Sequence, residues 1–307
     1  MSEESSLIKL DGLTAPATKL VEKICDGIEG LYRPTHIRRV AKAEADASLI
    51  KAKGEIAIDD LKHRAQDRAA FEEIQKQLIM ESIISKALPD VAETAKPEDV
   101  ENDWILNFFD KCRIISDEEM QSLWAKVLAG EANVPGTYSK RTVNFLNSLD
   151  KADAKLFTSL CSFCWYVGLI QPLIYEYGRT IYSNQGIHFN SLSHLDDIGL
   201  ISHQPLEIMR SGFRGHVEYF LYYGTPLGIQ FSSPENNSLN IGKVVLTQVG
   251  HQLAPICGSK PIPEFYDYIV QRWADEDLKP FSPYTKNRDI YPHLGKDDPN
   301  IPLNLLR

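Results

Sequence analysis

"KAEADASLIKAKGEIAIDDLKHRAQDRAAF", residues 42–71, alternates charge signs along its length and contains no proline. Its apolar positions follow a partial 3-4 rhythm: Ala47, Ile50, Gly54, Ala57 and Leu61. The rhythm breaks at Arg64 and Arg68 and resumes at Phe71, Ile74 and Leu78. Thr35 offers an N-cap upstream and Pro89 a stop downstream, so the stretch predicts one helix over residues 35–88, about 80 Å long. Between Arg33 and Lys86 stand eleven Lys/Arg and nine Asp/Glu, enough for pairs such as Asp60–Arg64 along a nearly neutral rod. Such pairs add only a few tenths of a kcal/mol each, so a helix of this length needs cover for its stripe. The expected cover is a second copy of the chain or the chain's own neighbouring helices, and the rod is read as serving assembly. Ile50, Ala57 and Leu61 are then contact positions of a homo-oligomer with coiled-coil character. The plain alternative is a solvated spacer.

Upstream, "KLVEKICDGIEGLY" (residues 19–32) sets Leu20, Val21, Ile24, Ile28 and Leu31 on one helical face, with Gly27 and Gly30 weakening the helix. A face of this kind can lie on a membrane, but Glu22, Asp26 and Glu29 on the polar side are repelled by anionic lipid. A packing face is expected instead.

Downstream, residues 90–131 carry eleven acidic and four basic residues. Trp104 with Phe108, and Ile105 with Phe109, form two adjoining i, i+4 ridges. Ser116 and Glu119 suggest a capping box before the stripe Met120, Leu123, Trp124, Val127 and Leu128, and Gly130 a helix stop. Ser139 is expected to cap a short helix with Val143, Leu146 and Leu149 inward, and Asp150 to cap the next helix, through "KADAKLFTSLCSFCWYVGLI". This reads as a compact helical bundle with Trp104, Phe108, Trp124 and Leu128 at its core.

After Gly168 the texture changes. "LSHLDDIGLI" is a short helix, followed by the strand-like runs "VEYFLYYG", "LGIQF" and "KVVLT", the last two separated by the polar "SSPENNSLN". Helices begin again at Thr247 and in "PEFYDYIVQRWADE". That order resembles a winged-helix domain. The fold class expected is mainly α: a long N-terminal helix, a central helical bundle and a C-terminal winged-helix-like α+β domain. The expected domains are residues 1–89 for assembly, 90–168 for the acidic bundle, 169–278 for the winged-helix-like part and 279–307 for an irregular proline-rich tail.

Chemistry is sparse along this chain. Cys161 and Cys164 are the only closely spaced redox- or metal-like pair, and their flanks read as a buried helix. His188, His194, His203 and His216 fall in separate local elements, without an HExxH arrangement. Gly224 and Gly228 lack the lysine and helix of a phosphate loop, and no serine sits in a G-x-S-x-G elbow. Glu118–Glu119 and Asp196–Asp197 are adjacent rather than facing carboxylates. No catalytic residue, cofactor or metal ligand is assigned, and no enzyme is expected.

A formal net charge of −9 argues against a surface that tracks a phosphate backbone. The candidate recognition helix shows Ser191, Ser193, His194, Asp196 and Asp197, and the candidate wing Glu235, Asn236 and Asn237. Protein contact is therefore preferred to DNA. Lys140 and Arg141, beside the acidic segment, are the contact candidates in the bundle; neutralising nearby carboxylates is their plainer role. Five cysteines, the lack of an N-terminal apolar h-region and the lack of an 18-residue apolar run fit a reducing cytoplasm.

"LYRPTHIRRVAKAEADA", "DWILNFFDKCRIISDEEMQSLWAKVLAGEANVPGTYSKRTVNFLNSLDKADAKLF", "HLDDIGLI" and "LTQVGHQLA" together resemble, over residues 20–275, an uncharacterised bacterial family known only as a domain of unknown function. The central motif is similar, more distantly, to the alpha-type proteins of bacterial abortive infection. The resemblance implies a cytoplasmic bacterial protein linked to phage defence and supplies no catalytic residues. The function expected is a non-enzymatic oligomeric interaction protein. The alternatives are a winged-helix transcription regulator and a membrane-acting toxin.

Overall fold

The computed structural model describes residues 12–28, 56–276 and 278–281. The fold is mixed α+β with a helical majority. The chain forms two compact units, Met1–Ser148 and Leu149–Arg307.

In the first unit, helix α1 (Ala15–Gly27) begins where Thr14 Oγ1 accepts from the Ala17 amide, four residues before the expected start. It buries Ala17, Leu20, Val21 and Ile24, and it packs on the 3-10 turn Pro97–Asp99 and on helix α3 (Asn102–Cys112). Lys19 Nζ pairs with Glu98 Oε1 at 3.1 Å. Leu20, Val21 and Ile24 of the apolar face are thus spent on packing, as expected; Leu31 lies outside the described residues. Helix α2 (Ile56–Ala87) ends one residue before the turn that carries Pro89, as the missing donor of proline requires. The expected start at Thr35 lies outside the described residues.

Helix α4 (Glu118–Asn133) is buried almost all round, as befits the central helix of a bundle. Its cap is Asp117, not Ser116: the Asp117 carboxylate accepts from both the Glu119 and Met120 amides, so the helix starts one residue later than expected. Gly130 does not stop it. The helix runs three residues further, because Gly130 serves close approach: a Cβ there would sit 2.6 Å from the Tyr138 ring. Ser139 caps helix α5 (Lys140–Ser148) as expected, accepting from the Thr142 amide. Trp104, Phe108, Phe109 and Trp124 form a chain of ring contacts with centroids 5.1 Å apart, and the Trp104 indole donates to the Tyr138 carbonyl.

The second unit opens with helix α6 (Lys151–Cys161), shorter than expected. Instead of continuing to Ile170, the chain makes a hairpin of β1 (Cys164–Tyr166) and β2 (Ile170–Pro172). Gly168, at φ +88°, makes its turn, and the aromatic Trp165-Tyr166 pair suits a pleated surface better than another helical turn. Short helices α7 (Thr180–Ser183) and α8 (Phe189–Asp197) follow, the latter closed by a reciprocal His188–Ser191 capping box. Ser191 is therefore buried rather than on the exposed face.

Strand β3 (Ile201–His203) pairs with β8 (Val244–Leu246), and β4 (Met209–Phe213) with β7 (Asn237–Asn240). Strands β5 (Val217–Tyr222), β6 (Thr225–Gln230) and β9 (Lys279–Phe281) join the β1–β2 hairpin in an antiparallel sheet of order β2-β1-β5-β6-β9. The three expected strand runs all form, but not as one ribbon. β6 pairs with β5 and β9, whereas β8 pairs with β3. The polar stretch between them is therefore no hairpin tip; its last residues form β7. The stretch after residue 278 opens with a strand, because Pro280 sits on the edge, where a missing donor is tolerated. Thr247 caps helix α9 (Gln248–Leu253) as expected. Helix α10 (Pro263–Asp275) then buries Phe265, Ile269 and Trp273.

Candidate functional site

Two halves of α2 have different surroundings. In the C-terminal half, Ile83, Ile84 and Ala87 are buried, mainly against α4. A polar anchor fixes the docking: Gln121, buried on α4, accepts at Oε1 from Ser82 Oγ (2.8 Å) and Lys86 Nζ (2.9 Å). Its own amide donates to the Ile115 carbonyl. Both polar atoms of that glutamine side chain are thereby used, Oε1 toward α2 and Nε2 toward the loop that precedes α4. Gln121→Leu keeps the volume but strands Ser82 and Lys86. We expect it to cost about 1–3 kcal/mol in chemical denaturation, with the helix content of the folded protein unchanged.

Toward the N-terminal end of the helix, no such cover comes from the described residues. Every described side chain from residue 61 to 75 is exposed, a length of about 22 Å. Leu61 is 60 %, Phe71 63 %, Ile74 50 % and Leu78 43 % exposed. Phe71, Ile74 and Leu78 stand at i, i+3 and i+7 and so share one face. Intrahelical support includes the surface pairs Arg68–Glu72 and Glu73–Lys76 and the Gln77–Glu81 hydrogen bond. Pairs of this kind add about 0.2–0.5 kcal/mol each. Charge is close to balanced along the helix: Lys62, Arg64 and Arg68 stand against Asp59, Asp60 and Asp67 in the first part, and Lys76 and Lys86 against Glu72, Glu73 and Glu81 in the second.

The expected contact residues fall in different places. Ile50 lies outside the described residues, and Ala57 is in α2, with its side chain outside them. Leu61 is on the uncovered segment, but about 80–140° around the helix from the Phe71–Ile74–Leu78 cluster at 100° per residue. Phe71, Ile74 and Leu78 belonged to the sequence rhythm without being singled out. Only the loss of cover, a tertiary fact, distinguishes them. Lys140 Nζ lies 3.7 Å from Asp103 Oδ2, the neutralising arrangement, and Arg141 is exposed beside it.

The largest charged cluster is paired within the second unit, although the Arg272 Nε has no hydrogen-bond partner. Arg272 reaches Glu176, Glu207 and Glu276 and lies 4.1 Å from the centre of the Tyr175 ring. His188 is committed to its capping box, and His194 pairs with Asp153 at 2.7 Å. His203 packs edge-on to Tyr177 and Phe189, and burial pushes its pKa down. Among the described residues no group of three His, Cys, Asp or Glu is placed to hold a metal ion, and no helix is long and apolar enough to cross a membrane.

Against models of known families, residues 63–270 match the one described as "Protein of unknown function (DUF2806)". No curated protein and no solved structure matches the chain. None of the comparisons links it to the abortive-infection proteins.

Proposed function

This chain belongs to the DUF2806 family, and from that premise we propose that it is a non-enzymatic interaction protein that assembles with copies of itself through helix α2. The uncovered Phe71–Ile74–Leu78 face carries the reading. Three large apolar side chains in water represent about 1.5–3 kcal/mol each when a partner buries them. The near balance of charge along α2 supports a second copy as that partner, since two such helices meet without net repulsion. The run is too short for a full heptad coiled coil, so the contact is a local helix–helix crossing.

Light scattering on the full-length chain tests this. Wild-type protein should exceed monomer mass over a roughly hundredfold concentration range, since association follows mass action. Phe71→Lys with Ile74→Lys should give a monomer that melts like wild type. A wild-type monomer throughout, or a double variant that stays assembled, overturns the proposal.

The finer reading of the second unit as winged-helix-like is supported by the order α7, α8, β3, β8, α9. On α8, Asp197 is exposed and His194 is held by Asp153, which favours protein over duplex DNA as a contact. A salt-sensitive shift of duplex DNA would support the regulator instead. Phage defence rests on the likeness of the central motif alone and is not proposed.

A further inference from the structure

Strand β9 closes one edge of the five-stranded sheet with a ladder only three residues long. Phe281 lies opposite Gly228, Pro280 opposite Ile229 and Lys279 opposite Gln230. Gly228 is in turn opposite Tyr219 of β5, so Tyr219, Gly228 and Phe281 stand in one row across the sheet and share a face. The middle place of that row has no side chain. A Cβ on Gly228 would lie 2.4 Å from Cζ and 2.7 Å from Cε1 and Cε2 of Phe281, so the tip of the ring fills the space a side chain would need. Tyr219 walls the far side of this notch, edge-on to Phe281 with centroids 6.1 Å apart. Glycine within a strand costs backbone entropy and marks a place where another group comes close. The Phe231 amide donates to His216 on the β5 side, so by alternation Pro226, Gly228 and Gln230 turn their backbone groups outward. Pro226 has no N–H, and its carbonyl accepts from the Tyr266 hydroxyl at 3.1 Å. The outward backbone groups that β9 meets are those of Gly228 and Gln230, beside the notch.

We propose that Gly228–Gln230 of β6, with the notch between Gly228 and Tyr219, is a docking site for an extended segment of a partner protein that carries an aromatic residue, and that β9 is the chain's own displaceable occupant. The incoming segment adds as an antiparallel strand. Hydrogen bonds to the Gly228 and Gln230 backbone hold it, and a ring seated over Gly228 selects it. β9 is suited to give way. Its ladder is short, Pro280 contributes no donor, Lys279 is exposed and Phe281 is only half-buried. Without an occupant β6 would present a bare edge, which the resident strand covers while no partner is bound. This site is separate from assembly through α2.

The labelled peptide LKPFS, the sequence of residues 278–282, titrated with full-length protein, reads the site by fluorescence polarisation. Phe281→Ala empties the notch and should bind the peptide roughly tenfold or more tighter than wild type, whose own strand competes at an effective concentration of about millimolar. Adding Gly228→Val should abolish binding, because the branched side chain refills the notch, and a peptide with alanine in place of phenylalanine should not bind. Hydrogen exchange on the wild-type chain needs no variant: the Lys279 and Phe281 amides should exchange about tenfold or more faster than the amides between β5 and β6. No saturable binding to Phe281→Ala, equal binding by wild type, binding that survives Gly228→Val, or β9 amides as protected as those between β5 and β6 each overturns the proposal. Loss of assembly on adding the peptide would make the occupant the β9 strand of a second copy and overturn the assignment to a partner protein.

Discussion

Replacing Trp124 with alanine is expected to remove about 3–5 kcal/mol of stability, the range for truncating a large core aromatic. The indole is fully buried on α4 and meets the Phe108 ring edge-on at 5.1 Å. Phe108 in turn stacks on Trp104 and touches Phe109, so one deletion opens the centre of the ring chain of the first unit. Domains typically hold a net 5–15 kcal/mol, so the variant should unfold at much lower denaturant and with poor cooperativity. Trp124→Phe separates volume from polarity. The indole N–H has no hydrogen-bond partner, so a phenyl ring loses no bond and should cost less than about 1.5 kcal/mol. A Trp124→Ala protein with a wild-type denaturation midpoint would show that this side chain is not part of a working core.

The second large effect is expected at Glu131, two residues before the end of α4. Its carboxylate is buried, and it accepts the Gly136 amide at Oε1 (2.7 Å) and the Tyr138 amide at Oε2 (2.8 Å). Both bonds clamp the loop that places Tyr138 over Gly130 and leads to the Ser139 cap. Glu131→Ala leaves those amides without acceptors and should cost about 2–3 kcal/mol. Glu131→Gln loses one bond, since its NH2 group must face an N–H, and should cost less.

Burial raises the Glu131 pKa, and the amides only partly offset it. The folded protein therefore keeps a proton that the unfolded chain releases near pH 4.3. The contribution of Glu131 to stability is greatest below that value and falls as pH rises from it through the folded-state pKa. Denaturation midpoints of wild type minus Glu131→Gln should decline over that window and level off above it. A difference that rises with pH would contradict the assignment.

Local rules were legible where the relevant physics is local. The stop of α2 at Pro89, the Ser139 and Thr247 caps, and the apolar stripes of α1, α3 and α4 depend on residues within one or two turns of each other. Trp124 was named as core from its spacing alone, and it is fully buried. The misses have equally specific causes. Ser116 and Asp117 are both good cap residues, and the neighbour whose carboxylate accepts two amides took the position. Gly130 fits a helix stop by type, yet its use depends on a ring eight residues away. The aromatic Trp165-Tyr166 pair was absorbed into a helix because a three-residue strand leaves too short a pattern to show period 2.

By itself the sequence determined a mainly helical chain with a change of texture near Gly168, the elements of the bundle, and a long charged helix over the described Ile56–Ala87. Periodicity, caps and prolines act within a few residues, so they need no knowledge of the rest of the chain. Only the tertiary structure decided which strands pair, which part of α2 goes uncovered among the described residues, and that the Thr158 hydroxyl reaches the Cys257 carbonyl, ninety-nine residues later in the chain. A strand's sequence sets which face it buries but not which neighbour completes its hydrogen-bond ladder. Likewise an amphipathic stripe records that a face is apolar, while what lies against it depends on residues far away in sequence.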